Sequence, residues 1–277
     1  MVPTSKELVK SSFSERAAEW MACYADRDQG TLEQRNLLSR LRFALEMLDA
    51  AVRPPARVLD AGCGSGEMAA KLMERDYDVQ GVDIAEPMVH VAGRRFGSDR
   101  FRVADIEHIP FPDRSFDAVV CLGVLEYLDT DDDALREIWR VLKPAGIAVF
   151  ATPNANSPLQ RIDRVVLQLI TLLRPCYYFV KYRLLARPAP SPASTPVLTH
   201  RKYDLHSWLR KLRSHGFAAE EWICHGWGWY RSPLGALALA LSNMARALGL
   251  GSRFARYRAL NWLAAEQIVR VRAVKNS

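Results

Sequence analysis

The run Val58-Leu59-Asp60-Ala61-Gly62-Cys63-Gly64-Ser65-Gly66 constrains this chain more than any other stretch. It reads as a short buried strand ending in an acid, three glycines at alternate positions, and a helix that opens near Glu67. Glycine at such a turn takes backbone dihedrals that a side chain forbids, and it lets the chain approach a ligand closely. The helix behind it presents unpaired N–H groups at its N-terminus. A nucleotide-containing cofactor is therefore expected here, and two spacings compete to name it. Gly64, Gly66 and Ala69 fit the dinucleotide pattern, with Asp83 about 20 residues on as a ribose acid. The acid-first spacing Asp60-x-Gly62-x-Gly64-x-Gly66 offers the second reading.

Strands and helices alternate after this turn. Apolar runs predict strands over 58–61, 79–83, 101–104, 116–122 and 147–152, with two more over 218–227 and 267–274. Helices are expected from Glu67, from a start marked by Pro87, after the acidic run 129–133, and over 204–214 up to Gly216. Asp129 to Asp133 read as N-terminal capping and dipole compensation for the third of these. Ahead of the first strand, Phe13, Ala17, Trp20, Met21 and Tyr24 recur at helical spacing, as do Leu37, Leu41, Ala44, Leu45, Leu48 and Val52. The fold class implied is α/β: a doubly wound, mostly parallel, seven-stranded sheet with ligands at the carboxyl ends of its strands.

The acid-first glycine run resembles motif I of the class I S-adenosylmethionine-dependent methyltransferases. Further matches follow in register over residues 55–155. Asp83 and Ile84 close the second strand, Asp105 and Ile106 the third, and Phe116-Asp117-Ala118-Val119-Val120-Cys121-Leu122-Gly123 fits the fourth. The resemblance implies S-adenosyl-L-methionine as cofactor, with Asp60, Gly62, Gly64 and Gly66 around its amino-acid end. It implies Asp83 on the ribose hydroxyls, Asp105 on the adenine amino group, Ile84 and Ile106 on the ring faces, and Met88 and Leu122 beside them. Trp20 and Tyr24 are further pocket-lining candidates. The distal residues Thr199-His200, the Asp204 helix and 226–233 resemble the ubiquinone-biosynthesis O-methyltransferase branch. That branch carries Glu-x-x-Glu-His after the fourth strand, whereas this chain has Gly123-Val-Leu-Glu126-Tyr127. No metal site is therefore expected, and Glu126, Tyr127, His200 and His206 are the candidates for handling the acceptor's proton.

Charge is distributed unevenly. Residues 1–157 carry a balance of −7, while 158–277 carry +14 together with five of the seven tryptophans. The apolar, Arg-studded 158–187 stretch, the proline-rich 187–196 linker and the apolar 234–250 stretch lie in that basic half. They read as a helical cap over the cofactor face, packed on itself or laid against an anionic membrane surface. The expected organisation is N-terminal helices 1–52, cofactor-binding core 53–154, first cap 155–200, core completion 201–230, second cap 231–262 and final strand 263–277. Five scattered cysteines without C-x-x-C spacing, and no apolar leader at the N-terminus, suit a cytoplasmic setting with possible peripheral membrane contact.

The reading reached is methyl transfer to an oxygen of a hydrophobic small-molecule or lipid-linked acceptor. N-methylation of a small molecule or nucleic acid is an alternative. Nucleic acid is disfavoured because the Asp/Asn-Pro-Pro-Tyr/Phe sequence used for base amines is absent after the fourth strand. An NAD-dependent oxidoreductase that reads the same glycines as a dinucleotide turn is the alternative from another class.

Overall fold

The computed structural model describes residues 5–15, 32–157, 201–225 and 264–275. Strands β1 (Arg57–Ala61), β2 (Asp78–Asp83), β3 (Phe101–Val103), β4 (Phe116–Leu122), β5 (Leu142–Pro153), β6 (Phe217–His225) and β7 (Glu266–Ala273) form one sheet in the order β3-β2-β1-β4-β5-β7-β6. β1 to β5 pair in parallel, and β7 runs antiparallel between β5 and β6. The described helices are α1 (Ser5–Glu15), α2 (Leu32–Asp49), α3 (Glu67–Met73), α4 (Glu86–Phe96), α5 (Asp132–Val141) and α6 (Leu205–Ser214).

Side-chain alternation along each strand feeds two cores. Val58, Val79, Val120 and Val149 face α2, α3 and α4, where they meet Leu48, Leu72 and Ala92. Leu59, Val119, Cys121 and Phe150 point the other way, onto Leu135 and Ile138 of α5 and Trp208 and Leu212 of α6. The sheet is thus covered on both faces, as near-continuous apolar strands require. It is the doubly wound, mostly parallel, seven-stranded architecture expected from the alternation.

Element boundaries moved where local pattern was overridden. The first described helix is Ser5–Glu15, which contains only Phe13 of the expected periodic set. Ala17, Trp20, Met21 and Tyr24 lie outside the described residues, as do the expected second cap (231–262) and all of the first (155–200) beyond residue 157. β5 begins at Leu142, five residues before the expected start. There it pairs with Phe116 ahead of a register shift, and Lys143 Nζ donates to Asp117 Oδ1 at 2.7 Å.

Asp131, at the N-cap of α5, makes no capping hydrogen bond, contrary to the capping expectation. It is 1% exposed and is pulled inward by Lys211 and by Arg201 Nη1 at 3.2 Å, so it joins α5 to α6. Asp132 and Asp133 remain in the first turn, where they face the positive end of the helix dipole. The α6 start behaves as read, with Asp204 Oδ2 accepting from Ser207 N at 2.9 Å.

Candidate active site

The carboxyl ends of β1, β2, β4 and β5, with the turn after β3, surround one cavity. Its floor is the glycine turn. Gly62 (φ +84°) and Cys63 donate to Val82 O at 2.7 and 3.0 Å, and a Cβ on Gly62 would stand 2.2 Å from Val124 Cγ2. Gly64 (φ +50°) donates its N–H to Asp83 Oδ2 at 2.8 Å, and nothing lies within 4 Å of where its Cβ would be. The space above Gly64 is the cavity itself. Gly66 does not line that cavity. It caps α3 at φ +86°, and a Cβ there would press on Phe96 at 3.0 Å, so it serves the packing of α3 against α4.

Two buried acids flank the turn. Asp60 is 2% exposed, and its Oδ2 has no hydrogen-bond partner. Burial first, and the neighbouring Asp83 second, push its carboxyl up to about 7. Asp83 also accepts Ala85 N at 2.9 Å, and burial raises it despite its two N–H donors. Asp105 Oδ1 accepts Glu107 N at 3.0 Å, and its Oδ2 takes Lys6 Nζ at 2.6 Å. Lys6 also pairs with Glu107 and so ties α1 across the cavity rim. Ile84, Met88, Ile106 and Leu122 line the wall between these acids.

These residues fit S-adenosylmethionine. A buried carboxylate oxygen without a partner matches an ammonium, the glycine turn leaves backbone open to the ligand, and an apolar slot ending at Asp105 matches an adenine. Among the described residues no cluster of His, Cys, Asp and Glu is disposed to hold a metal ion.

The opposite end of the cavity is apolar along Leu37, Leu41 and Val124, and it closes on Arg40, Glu126 and Glu266. Glu126 is 6% exposed, has an unpartnered Oε2, and is raised by burial to about 7 against the pull of Arg40. Tyr127 lines the same end, its ring edge-on to Phe13 with centroids 5.2 Å apart. His206 is exposed on the first turn of α6 and does not line the cavity, so that candidate is set aside. His200 lies outside the described residues. Sequence reasoning missed Lys6, Arg40 and Glu266. No motif marks them, because α1, α2 and β7 meet only in the fold. A cavity-side arginine inside the apolar period of α2 was the one available signal.

Comparison with known proteins agrees with this arrangement. Residues 59–150 match the family model described as a methyltransferase domain. A malonyl-[acyl-carrier protein] O-methyltransferase of Enterobacter lignolyticus is 31% identical over 157 residues, which is 57% of this chain and 58% of that protein. A demethylmenaquinone methyltransferase of Deinococcus radiodurans is 32% identical over 159 residues, 51% of this chain and 66% of that one. The chain spans a little over half the length of the first of these relatives. In fold, the chain is similar to a magnesium protoporphyrin IX methyltransferase from Synechocystis with bound S-adenosylhomocysteine. The TM-score is 0.61 at 14% identity, covering 98% of this chain and all of that one. Over residues 59–150, then, the chain matches a methyltransferase domain, within a fold shared with a methyltransferase that binds S-adenosylhomocysteine.

Proposed function

We propose that this chain methylates an oxygen of a hydrophobic small-molecule or lipid-linked acceptor. The observation that carries the proposal is Glu126, a buried carboxylate with a free oxygen at the end of an apolar passage that begins at the glycine turn. When bound, the cofactor supplies a methyl group already activated on a sulfonium. Asp60 neutralises the ammonium, Asp83 accepts from the ribose hydroxyls, and Asp105 accepts from the adenine amino group. Glu126 Oε2 takes the proton of the acceptor hydroxyl, and a carboxyl near 7 is well placed to do so at neutral pH. Leu37, Leu41 and Val124 keep water from the reacting atoms, and Tyr127 orients the acceptor. Alignment supplies most of the acceleration, as suits a reaction with an activated methyl group.

Oxygen is favoured over nitrogen by the relative named as an O-methyltransferase. The ubiquinone-type branch rests on the resemblance over Thr199-His200, the Asp204 helix and 226–233, and a membrane-derived acceptor on the basic half of the chain, with its +14 balance and its tryptophans. The test is methyl transfer from labelled S-adenosylmethionine to a prenylated phenol and to its amine analogue. An alkali-stable ether product is expected. Transfer to the amine alone would overturn the reading. S-adenosylhomocysteine should raise the melting temperature and NAD should not; the reverse would point to an oxidoreductase.

A further inference from the structure

Near Glu126 the cavity holds a hydroxyl that the proposed reaction has not used. Thr152, at the carboxyl end of β5, lines the cavity and is 2% exposed. Across the sheet it pairs with Gln267 of β7, whose Nε2 lies 3.2 Å from Thr152 Oγ1 and 3.2 Å from Tyr203 O. A carbonyl oxygen only accepts, so the amide atom facing it is the nitrogen, and an amide nitrogen only donates. Its two hydrogens go one to Tyr203 O and one to Thr152 Oγ1. Thr152 accepts there and keeps its own hydrogen. Among the described residues nothing takes that hydrogen, and Gln267 Oε1 has no partner. A buried O–H without an acceptor is costly, and a ligand in the cavity can supply one.

Hydrogen bonds hold this hydroxyl beside Glu126. Tyr203 donates its N–H to Pro153 O at 3.0 Å and its hydroxyl to Leu125 O at 3.1 Å, so it ties the neighbour of Thr152 to the neighbour of Glu126. Gly123 N joins the same two segments through Ala151 O at 3.1 Å. Glu126 Oε2 brings to this cavity a buried oxygen without a donor, and Thr152 a hydrogen without an acceptor.

We propose that Thr152 determines specificity: it donates to the acceptor oxygen that Glu126 deprotonates, and so selects oxygen over nitrogen. This rests on the reading of Glu126 as the base. A hydroxyl oxygen carries one hydrogen and two lone pairs. With the hydrogen on Glu126 and one lone pair on Thr152, the second lone pair is left to form the new C–O bond. The electrons of the broken bond stay on sulfur and the hydroxyl proton on Glu126, so charge and atoms balance. A neutral amine has a single lone pair. Spent on Thr152, it cannot take the methyl group; turned to the methyl group, it leaves the Thr152 hydrogen buried and unmatched, which counts against the amine.

The experiment reads binding as well as turnover. The full chain, saturated with S-adenosylhomocysteine, is titrated with para-prenylphenol and with prenylbenzene in wild type, Thr152→Val and Thr152→Ser. Wild type should prefer the phenol, and Thr152→Val should lose about tenfold in affinity for the phenol and nothing for prenylbenzene. Thr152→Ser should restore the preference. The ratio of the two affinities within each variant cancels any loss of folded protein. In methyl transfer from labelled S-adenosylmethionine, the rate on para-prenylaniline relative to the phenol should rise about tenfold in Thr152→Val. No preference for the phenol in wild type, or an affinity ratio unchanged in Thr152→Val, overturns the proposal, as does an unchanged ratio of rates. A Thr152-dependent preference for the phenol without transfer to its oxygen would support the donor and overturn Glu126 as the base.

Discussion

Asp60 ties cofactor affinity to pH. Its carboxyl sits near 7 because burial opposes the charged form, yet a bound ammonium requires that form. Binding of S-adenosylhomocysteine should therefore strengthen as pH rises towards 7, by about tenfold per unit below that value, and level off above it. Asp60→Asn should bind more weakly at pH 8 and lose the dependence; calorimetry across the range checks both. Gly62 gives a second test at this scale. Gly62→Ala forces a Cβ into Val124 at a φ of +84°, and the combined strain and clash should cost about 2–4 kcal/mol, read as a lowered melting temperature. Gly64→Ala meets open space but at a φ of +50°, so it should cost about 1–2 kcal/mol of backbone strain and put its remaining effect on cofactor affinity. The turn and its acids were legible in the sequence because they lie at fixed offsets within single strand–turn–helix units. Arg40, His225 and Glu266 were not, since 226 residues separate the first from the last, and it takes the pairing of β6 with β7 and the packing of α2 on the sheet to bring them together.

Helices and strands answer to different forces, and the acidic start of α5 illustrates the contrast. Its sequence looks like a cap, but Asp131 is drawn away by Lys211 and Arg201 across the α5–α6 boundary. Asp131→Ala should therefore destabilise the protein by about 1–2 kcal/mol, more than a lost exposed pair, because two cations about two-thirds buried lose their buried carboxylate, although Lys211 keeps Asp132 and Arg201 keeps the Asp129 carbonyl. Denaturant unfolding, compared with Asp133→Ala as an exposed control, measures it. Gly216 shows the converse case. The sequence marked it as a helix stop, and its φ is +83°. It also gives room to the Trp139 indole, which donates to its carbonyl at 3.2 Å and would crowd a Cβ at 2.6 Å. Apolar periodicity placed most elements because each strand needs both faces covered. The start of β5 escaped it, since Pro144-Ala145-Gly146 reads as a turn although pairing begins at Leu142.

At the scale of the molecule, charge and architecture are separated along the chain. The first 157 residues carry a balance of −7 and the remainder +14. No helix among the described residues is long and apolar enough to cross a membrane. If the basic half meets a bilayer, vesicles rich in anionic lipid should sediment the protein, and raising salt from about 0.05 to 0.5 M should release most of it. Equal sedimentation with neutral vesicles would remove charge from the account.

The direction of β7 has one more consequence. His225 ends β6 and Glu266 starts β7, and the two are paired neighbours. Asn154 and Tyr203 likewise bridge at the end of β5. The described chain thus stops and resumes near neighbouring positions both times, after 157 and before 201 beside Asn154 and Tyr203, and after 225 and before 264 beside His225 and Glu266. Lengthening or shortening the chain between either pair of ends therefore leaves every strand of the sheet in its present register.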